Sequence, residues 1–296
     1  MGETKLTIVI VSFNTRNVLQ KCLTSITKSK INFDYTVIVS DNGSRDGSVE
    51  LVKTKFPSVK LLENGKNLGF AVANNRAKDY CRSTYVLFLN SDTLVNTDVL
   101  NKSVLYMDGH PDIGVVSCKT VLPDGTLDKD ARRSFPTPWV AFSHLVIPLD
   151  KIFPKSRLFS RYWYGYISGN TEHEIDVAQG AFMLVRKNVL DGVGWFDEDY
   201  FLDGEDIDLC WKIKQKGLKI VYLPNITIIH LKKASKMSKT MAKRDRIRSR
   251  LASVNSMETF YRKNLSLRYN FLVNFGVLLG INLIKLQRYL FVLLGR

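Results

Sequence analysis

Val37-Ile38-Val39-Ser40-Asp41-Asn42-Gly43-Ser44 is an apolar, β-branched run that stops at an aspartate and a tight turn, and Val86-Leu87-Phe88-Leu89-Asn90-Ser91-Asp92 repeats the arrangement further along. Short runs of this kind, bounded by turn residues, read as buried strands. Working outward from them, the pattern predicts strands at 7–11, 35–40, 59–62, 85–90 and 114–118. Helices are predicted between them at 16–28, 46–55, 70–82 and 97–107, with Asp46 and Thr97 as N-caps. The alternation implies an α/β fold with a mostly parallel sheet and helices on both faces. Ligands of such sheets bind outside the carboxyl ends of the strands, where Asp41 and Asp92 stand.

Beyond residue 120 the pattern turns irregular. From 124 to 174, Pro136, Pro138, Pro148 and Pro154 lie among aromatic and basic residues, and this stretch is expected to cross the sheet and carry substrate contacts. Regular signals return with a β-like run at 176–186 broken by Gln179-Gly180, helices at 187–193 and 205–216, and strands at 219–223 and 226–230 on either side of Pro224. The turn after the first strand, Ser12-Phe13-Asn14-Thr15, carries no G-x-G-x-x-G, which disfavours a conventional dinucleotide site. Cys22, Cys81, Cys118 and Cys210 are isolated and read as reduced, buried thiols. The first residues lead straight into a strand without a secretory pattern, so a cytoplasmic location is expected.

The net charge of +15 is unevenly spread. Between 231 and 296, 15 Lys/Arg stand against Asp245 and Glu258, leaving 1–230 close to neutral. The chain therefore divides into an α/β domain, 1–230, and a basic helical extension, 231–296, whose charge suits an anionic partner, either lipid or nucleic acid. The extension joins a basic run at 232–250 to an apolar stretch at 271–294. As a helix, the apolar stretch gathers Asn270, Asn274, Asn282, Lys285 and Arg288 within about 120°. A membrane span needs roughly 20 apolar residues without charges, and Lys285 and Arg288 interrupt this one. A helix lying in the membrane interface is the favoured reading. Packing on the α/β domain or on a second subunit is the alternative, and a span comes third.

Taken alone, Asp41-Asn42-Gly43-Ser44 is a tight turn. Two more polar loops, Asn64-Gly65-Lys66-Asn67-Leu68-Gly69-Phe70 and Asn90-Ser91-Asp92, fall on the same edge of the predicted sheet. A nucleoside diphosphate needs acceptors for its base and ribose, and a divalent ion for its phosphates. Asp41 suits a base N–H, and Asp92 is a hard oxygen ligand for Mg²⁺ or Mn²⁺. Because Asn90 stands where a second carboxylate would help, water and phosphate oxygens would supply the remaining ligands. Ser12, Asn14, Asn42, Ser44, Asn67, Gly69, Asn75 and Ser91 are the other donor-side candidates.

Seven carboxylates fall within residues 197–208, interleaved with Tyr200, Phe201 and Leu202 and preceded by Trp195 and Phe196. Burial among aromatics raises carboxyl pKa values and suits a general base. The dipole of the following helix instead favours the charged forms of Glu205 and Asp206, and the sequence leaves that balance open. His230, ending an apolar strand, is either structural or a phosphate or metal contact.

The segments 7–14, 41–48, 67–75, 90–92, 180–186 and 205–209, in this order, resemble the inverting family 2 glycosyltransferases of GT-A (Rossmann-like) fold, and within them the bacterial rhamnosyltransferase-like branch. The resemblance covers about residues 5–235. It implies that Asp41 reads a uracil or thymine base, that Asp92 binds the metal, that Asp206 of the Glu205-Asp206 pair is the catalytic base, and that His230 touches metal or pyrophosphate. On the acceptor side it points to Arg132 and Arg133, and Gln179, Gly180, Ala181, Trp195 and Asp203 are grouped with them. The departures are Asn90 in the DXD-type motif, Lys212 after the acidic motif, and Lys232-Lys233-Ala234 before Ser235. No Q-x-x-R-W motif is present, which disfavours processive polymerisation.

The implied activity is transfer of one sugar, rhamnose from dTDP-rhamnose or another UDP- or dTDP-sugar, to a polyprenyl-diphosphate-linked saccharide in bacterial cell-surface polysaccharide synthesis. The protein would sit peripherally on the anionic inner face of the cell membrane, with no nucleic-acid partner and with a homo-oligomer left open. A nucleic-acid-binding module using the basic run and a catalytically silent scaffold are the readings from other classes.

Overall fold

The computed structural model describes residues 4–232 and 243–293, with side chains up to 232 and from 251 to 291. Its strands are β1 (Leu6–Ser12), β2 (Tyr35–Asp41), β3 (Lys60–Glu63), β4 (Tyr85–Asn90), β5 (Thr93–Val95), β6 (Ile113–Val121), β7 (His173–Glu174), β8 (Phe182–Arg186) and β9 (Lys219–His230). Its helices are α1 (Arg16–Thr27), α2 (Ser48–Lys55), α3 (Phe70–Asn75), α4 (Val99–Gly109), α5 (Pro138–Ala141), α6 (Leu149–Ile152), α7 (Lys187–Val193), α8 (Glu205–Gln215), α9 (Lys243–Phe260) and α10 (Phe271–Leu293). One mixed sheet runs β3-β2-β1-β4-β8-β6-β9-β5, with β7 on β9. The first four of these strands are parallel, β8 runs antiparallel between β4 and β6, and β9 returns parallel to β6.

Alternation along the strands sorts the core into two layers. Ile8, Ile10, Val37, Val39, Leu87 and Leu89 face α1, α2 and α4, whereas Val9, Ile38, Val86 and Phe88 face α3, α7, α8 and the end of α9. All four cysteines are buried and free, and burial pushes the thiols of Cys81 and Cys210 up to about 12.

Several boundaries differ from expectation for local reasons. The helix expected at 70–82 stops at Asn75 and resumes as a short 3₁₀ turn, Lys78–Tyr80. Asn74 and Asn75 spend their amides on the carbonyls of Phe70 (3.0 Å) and Phe196 (2.9 Å), a competition that shortens helices. Gly47 rather than Asp46 occupies the N-cap of α2, while Asp46 Oδ1 accepts from the Ser48 N–H and hydroxyl at 3.1 and 2.6 Å. Asp98 rather than Thr97 precedes α4. The two strands expected around Pro224 are one, β9, whose register against β6 shifts between Cys118 and Lys119. Pro224 has no N–H to give to the ladder, so the sheet absorbs it as an irregularity.

Residues 256–264 of the C-terminal extension pack on the α/β domain. Phe260 of α9 is buried against Phe135 and Trp211. Ser256 donates to the Leu202 carbonyl (3.1 Å), Asn264 to Asp208 (2.9 Å), and Lys263 to Asp197 and Asp199 (2.7 and 2.6 Å). Residues 233–242 of the basic run, Ser235 among them, lie outside the described residues. In α10, Asn274, Lys285 and Arg288 of the expected polar stripe turn inward onto α9 and the turn that follows it, while Asn270 and Asn282 stay exposed. Lys285 pairs with Glu258, Arg288 donates to Ser253 (2.6 Å), and Asn274 accepts from the Tyr261 hydroxyl (2.6 Å). Leu272, Phe275, Leu279, Leu283 and Leu286 are left exposed. The stretch Phe271–Phe291 is long and apolar enough to cross a membrane.

Gly69 clamps the second polar loop to the acidic one. Its φ is +89°, and a Cβ there would stand 2.5 Å from the Phe201 carbonyl, which accepts from the Phe70 N–H at 3.1 Å. Gly69→Ala is therefore expected to cost about 1 kcal/mol or more, read as a lower urea midpoint at unchanged slope. A midpoint equal to that of the parent protein would show that the two loops are not locked together.

Candidate active site

The parallel strands end level with one another. Ser12 lies opposite Asp41, Asp41 opposite Glu63, and Val11 opposite Asn90, so three polar loops leave one edge side by side. Asp41 is 2% exposed. Its Oδ2 accepts from the N–H groups of Gly43 (3.0 Å) and Ser44 (2.8 Å), an arrangement set by the turn, while its buried Oδ1 has no partner. An orphaned carboxylate oxygen is costly, and a ligand N–H would relieve it.

Around Asp41 the donor-side candidates form a connected frame. Asn42 donates to the Gly69 carbonyl (3.1 Å) and to Asn67 (3.4 Å), and Asn67 in turn accepts from the Gly69 N–H (3.0 Å). The Asn42 N–H donates to the Ser12 carbonyl (2.7 Å). Asn14, at φ 54°, accepts from the Arg45 N–H (2.8 Å) and donates its own N–H to the Ser44 hydroxyl (2.9 Å). Asn75 does something else. Its amide holds Phe196 and Glu198 (2.9 and 3.0 Å), so it anchors the acidic loop from beneath. Ser91 is buried beside Asp92.

Antiparallel pairing of β5 with β9 sets Thr93 opposite His230 and thereby delivers His230 to Asp92. His230 Nε2 lies 3.2 Å from Asp92 Oδ1, and Nδ1 lies 3.0 Å from Asp128 Oδ2. Burial alone would push the imidazole down, but the bonds and charges of Asp128 and Asp92 raise it to about 9. Burial likewise opposes ionisation of Asp128, yet His230 and Lys232 hold its carboxyl below the usual range. Lys232 links the pair onward, at 2.9 Å from Asp128 and 3.2 Å from Asp130. Asp92 is a hard oxygen ligand that Mg²⁺ or Mn²⁺ accepts, and His230, an imidazolium between the two carboxylates, joins it as a ligand only by giving up a proton. Among the described residues no three His, Cys, Asp or Glu side chains form a closed cage, so substrate oxygens and water would supply the rest.

A cavity of about 440 Å³ opens next to Asn90 and Gly180 and is walled by Arg133, Gln179, Asp203, Glu205 and Asp206. Arg133 is held in extended chain by its bridge to Val177 and forms an ion pair with Asp206. Although burial works against a charged guanidinium, Asp206 above all keeps that of Arg133 well above its ordinary value. Asp206 Oδ1 also accepts from the Ile207 N–H (2.8 Å) at the start of α8. Its neighbour Glu205 is 6% exposed with Oε2 unpartnered. Burial, then the charges of Asp206 and Asp203, push the Glu205 carboxyl well above the usual range, and burial raises Asp203 as well. The balance left open by the sequence is thus resolved for Glu205 in favour of burial. The site holds one ion-paired carboxylate beside carboxyls disposed to stay neutral, a division suited to acid–base chemistry.

Three acceptor-side candidates do not line this cavity. Arg132 points away from the cavity, donating to the Ser168 carbonyl (3.2 Å) beside the Tyr222 ring, because successive side chains of extended backbone face opposite ways. Trp195 is core, edge-on to Phe88 with its Nε1 on Asp191 (3.0 Å). Ala181 is fully buried, its carbonyl accepting from Thr93 (3.2 Å). The reading of the sequence missed Asp128, Asp130 and Lys232, which connect the two halves of the site. The spacing Asp128-Lys129-Asp130 just before Arg132-Arg133 was their one visible signal. Ser253, Ser256, Met257 and Phe260, which close the cavity from α9, carried none.

An α/β sheet with a nucleotide-type edge, a candidate cation site and a carboxylate cavity defines a GT-A fold transferase. Residues 7–194 match the family described as Glycosyl transferase family 2, and the chain belongs to it. It is rhamnosyltransferase-like. It is 27% identical over 238 residues to N-acetylglucosaminyl-diphospho-decaprenol L-rhamnosyltransferase of Mycobacterium tuberculosis, covering 77% of this chain and 76% of that one. It is 27% identical over 233 residues to Rhamnosyltransferase WbbL of Escherichia coli, covering 75% and 82%. In fold it matches the mannosyltransferase PcManGT of Pyrobaculum calidifontis in complex with GDP-Man and Mn²⁺, at TM-score 0.57 and 19% identity, over 88% of this chain and 65% of that one. It also matches GalNAc-T7 with UDP, GalNAc and Mn²⁺, at TM-score 0.63 and 14% identity, over 88% and 48%. The protein is a glycosyltransferase of polysaccharide synthesis.

Glu205 makes stability depend on pH. A carboxyl raised in the folded state contributes stability fully below its unfolded pKa, about 4.3, and loses it as pH rises through the folded value. Glu205→Gln, neutral throughout, should match the parent protein in thermal midpoint near pH 4 and exceed it near pH 8. A variant less stable at both pH values would refute the neutral form.

Proposed function

We propose that this glycosyltransferase moves a single sugar with inversion, rhamnose from dTDP-rhamnose first and another UDP- or dTDP-sugar as the alternative, to a hydroxyl of a polyprenyl-diphosphate-linked saccharide. One observation carries the reading: Asp41 with its unpartnered Oδ1, Asp92 beside His230, and Asn90 in the wall of the Asp206 cavity all stand at or just after the carboxyl ends of strands of one sheet. The names of the mycobacterial and Escherichia coli relatives support rhamnose and a lipid-diphosphate acceptor.

Asp41 takes the N–H of a uracil or thymine, and the frame of Ser12, Asn14, Asn42, Ser44 and Asn67 holds it there. Asp92 and His230 would hold Mg²⁺ or Mn²⁺, which neutralises the departing diphosphate when bound; the complexes of the structural neighbours with Mn²⁺ support this. Arg133 keeps Asp206 oriented until an acceptor hydroxyl enters, and Asp206 then removes the proton as the hydroxyl attacks the anomeric carbon. Burial disfavours the charged forms of Glu205 and Asp203, whereas Asp206 is held by its ion pair with Arg133. Asp206→Ala should reduce turnover by about 10²–10⁴-fold while UDP or dTDP with metal still raises the thermal midpoint. Unaltered turnover would take the base role away from Asp206.

The outward face of α10 supports peripheral attachment to the cytoplasmic face of the membrane, since Asn274, Lys285 and Arg288 of its polar stripe are used internally and its leucines are exposed. Leu279→Asp with Leu283→Asp touches only that face. Co-sedimentation with anionic liposomes should then be lost, and undiminished sedimentation would place the contact elsewhere.

A further inference from the structure

An apolar groove of about 530 Å³ runs between α10 and the segment 136–146, and it shares the walls Pro136 and Met257 with the catalytic cavity. We propose that this groove holds the isoprenoid chain of the acceptor, leading it from the membrane to the Asp206 cavity. The inference rests on the lipid-linked acceptor reading given above and assigns that lipid its place.

The groove offers little for a polar ligand to bind. Its lining is apolar apart from Trp139, Tyr261 and Tyr269. The hydroxyl of Tyr261 is already committed to Asn274 at 2.6 Å, and Trp139 gives its Nε1 to the Leu158 carbonyl at 3.0 Å, which leaves the Tyr269 hydroxyl. Walls this poor in hydrogen-bonding groups select a hydrocarbon.

Continuity selects which hydrocarbon. At the inner end the groove meets the cavity that contains Asp206, Arg133 and Glu205. Arg288 donates to Ser253, a wall residue of that cavity one turn before Met257, so a cation stands near the junction, where an acceptor diphosphate would cross. At the outer side Trp139, Phe142, Leu145 and Val146 line the groove and are also exposed. They join the leucines of α10 in one apolar surface. A chain tethered to a diphosphate and drawn from a bilayer satisfies both ends, whereas a second protein copy would leave the inner junction unused.

Gly276 and Gly280 provide a clean test. Both line the groove, and a Cβ on either meets nothing within 4 Å. Leucine at these positions also suits a helix better than glycine, so the double variant Gly276→Leu with Gly280→Leu should fold while filling the groove. Two probes are compared in liposomes: polyprenyl diphosphate carrying a photoreactive group along its chain, and phosphatidylglycerol carrying it on an acyl chain. The expected result is polyprenyl labelling within 136–146 and 273–284 that falls about tenfold in the double variant, the loss anticipated for excluding a few methylenes. Transfer to the full-length lipid-linked acceptor should fall by a similar factor, with transfer to a short-chain analogue unchanged.

Equal polyprenyl labelling of parent and variant overturns the proposal. So does phosphatidylglycerol labelling that excess polyprenyl diphosphate fails to displace, or a dimer in solution that dissociates in the variant. Groove labelling without transfer to either acceptor would leave the lipid site standing and reject the acceptor reading on which the function rests.

Discussion

The largely shielded ion pair between Arg133 and Asp206 is the constraint around which the second half of the molecule is arranged. Two charges drawn out of water are most tolerable together, and removing either leaves the other without its partner. Arg133 reaches Asp206 because the chain at 131–135 is stretched along Val177. Asp206 is presented because Gly204, at φ +90°, starts α8 so close to α9 that an added Cβ would meet Ser256 at 2.9 Å. The irregular excursion, the loop before β8 and α8 therefore meet at this contact, with α9 packed beside it. Raised carboxyls at Glu205 and Asp203 follow from burial and from the neighbouring charge of Asp206.

The donor side rests on different physics. Asp41, Ser12 and Asn90 come level because three parallel strands end in register, and backbone ladders enforce that without help from side chains. This explains why Val37–Ser44 and Val86–Asp92 were readable: strand, turn and polar terminus are local signals. Lys60–Glu63 and Val99–Gly109 fell within two residues of expectation for the same reason. What failed locally were ends decided by side-chain competition, such as Asn74 and Asn75 cutting α3 short.

The acceptor side was legible only in part, because its members are brought together by long-range packing. Arg132 and Arg133 look equivalent in sequence, and only the pairing with Val177 decides that Arg133 faces the cavity while Arg132 faces Tyr222. Trp195 sits in a string of acids yet is claimed by Phe88 and Asp191. Asp128 gained its importance from His230, 102 residues away, through a hydrogen bond that no periodicity announces. The polar stripe of α10 was visible, but amphipathicity states that a helix has two faces and not which one is covered. Here Glu258, Ser253 and Tyr261 claim the polar face.

That inversion has a consequence for how the enzyme divides its labour. A helix that packs through charges and amides keeps its hydrocarbon face free, and its third face, along Val273, Gly276, Val277 and Gly280, is free to line an apolar channel. The loops around Asp41 are held by the strand ends and by their own side-chain frame, and α10 and 136–146 stand on the far side of the cavity. The two sides are joined by the Phe70 N–H on the Phe201 carbonyl, by Asn75 on Phe196 and Glu198, and by Asp128 and Lys232 beside His230, so a change on one side reaches the other through these few bonds.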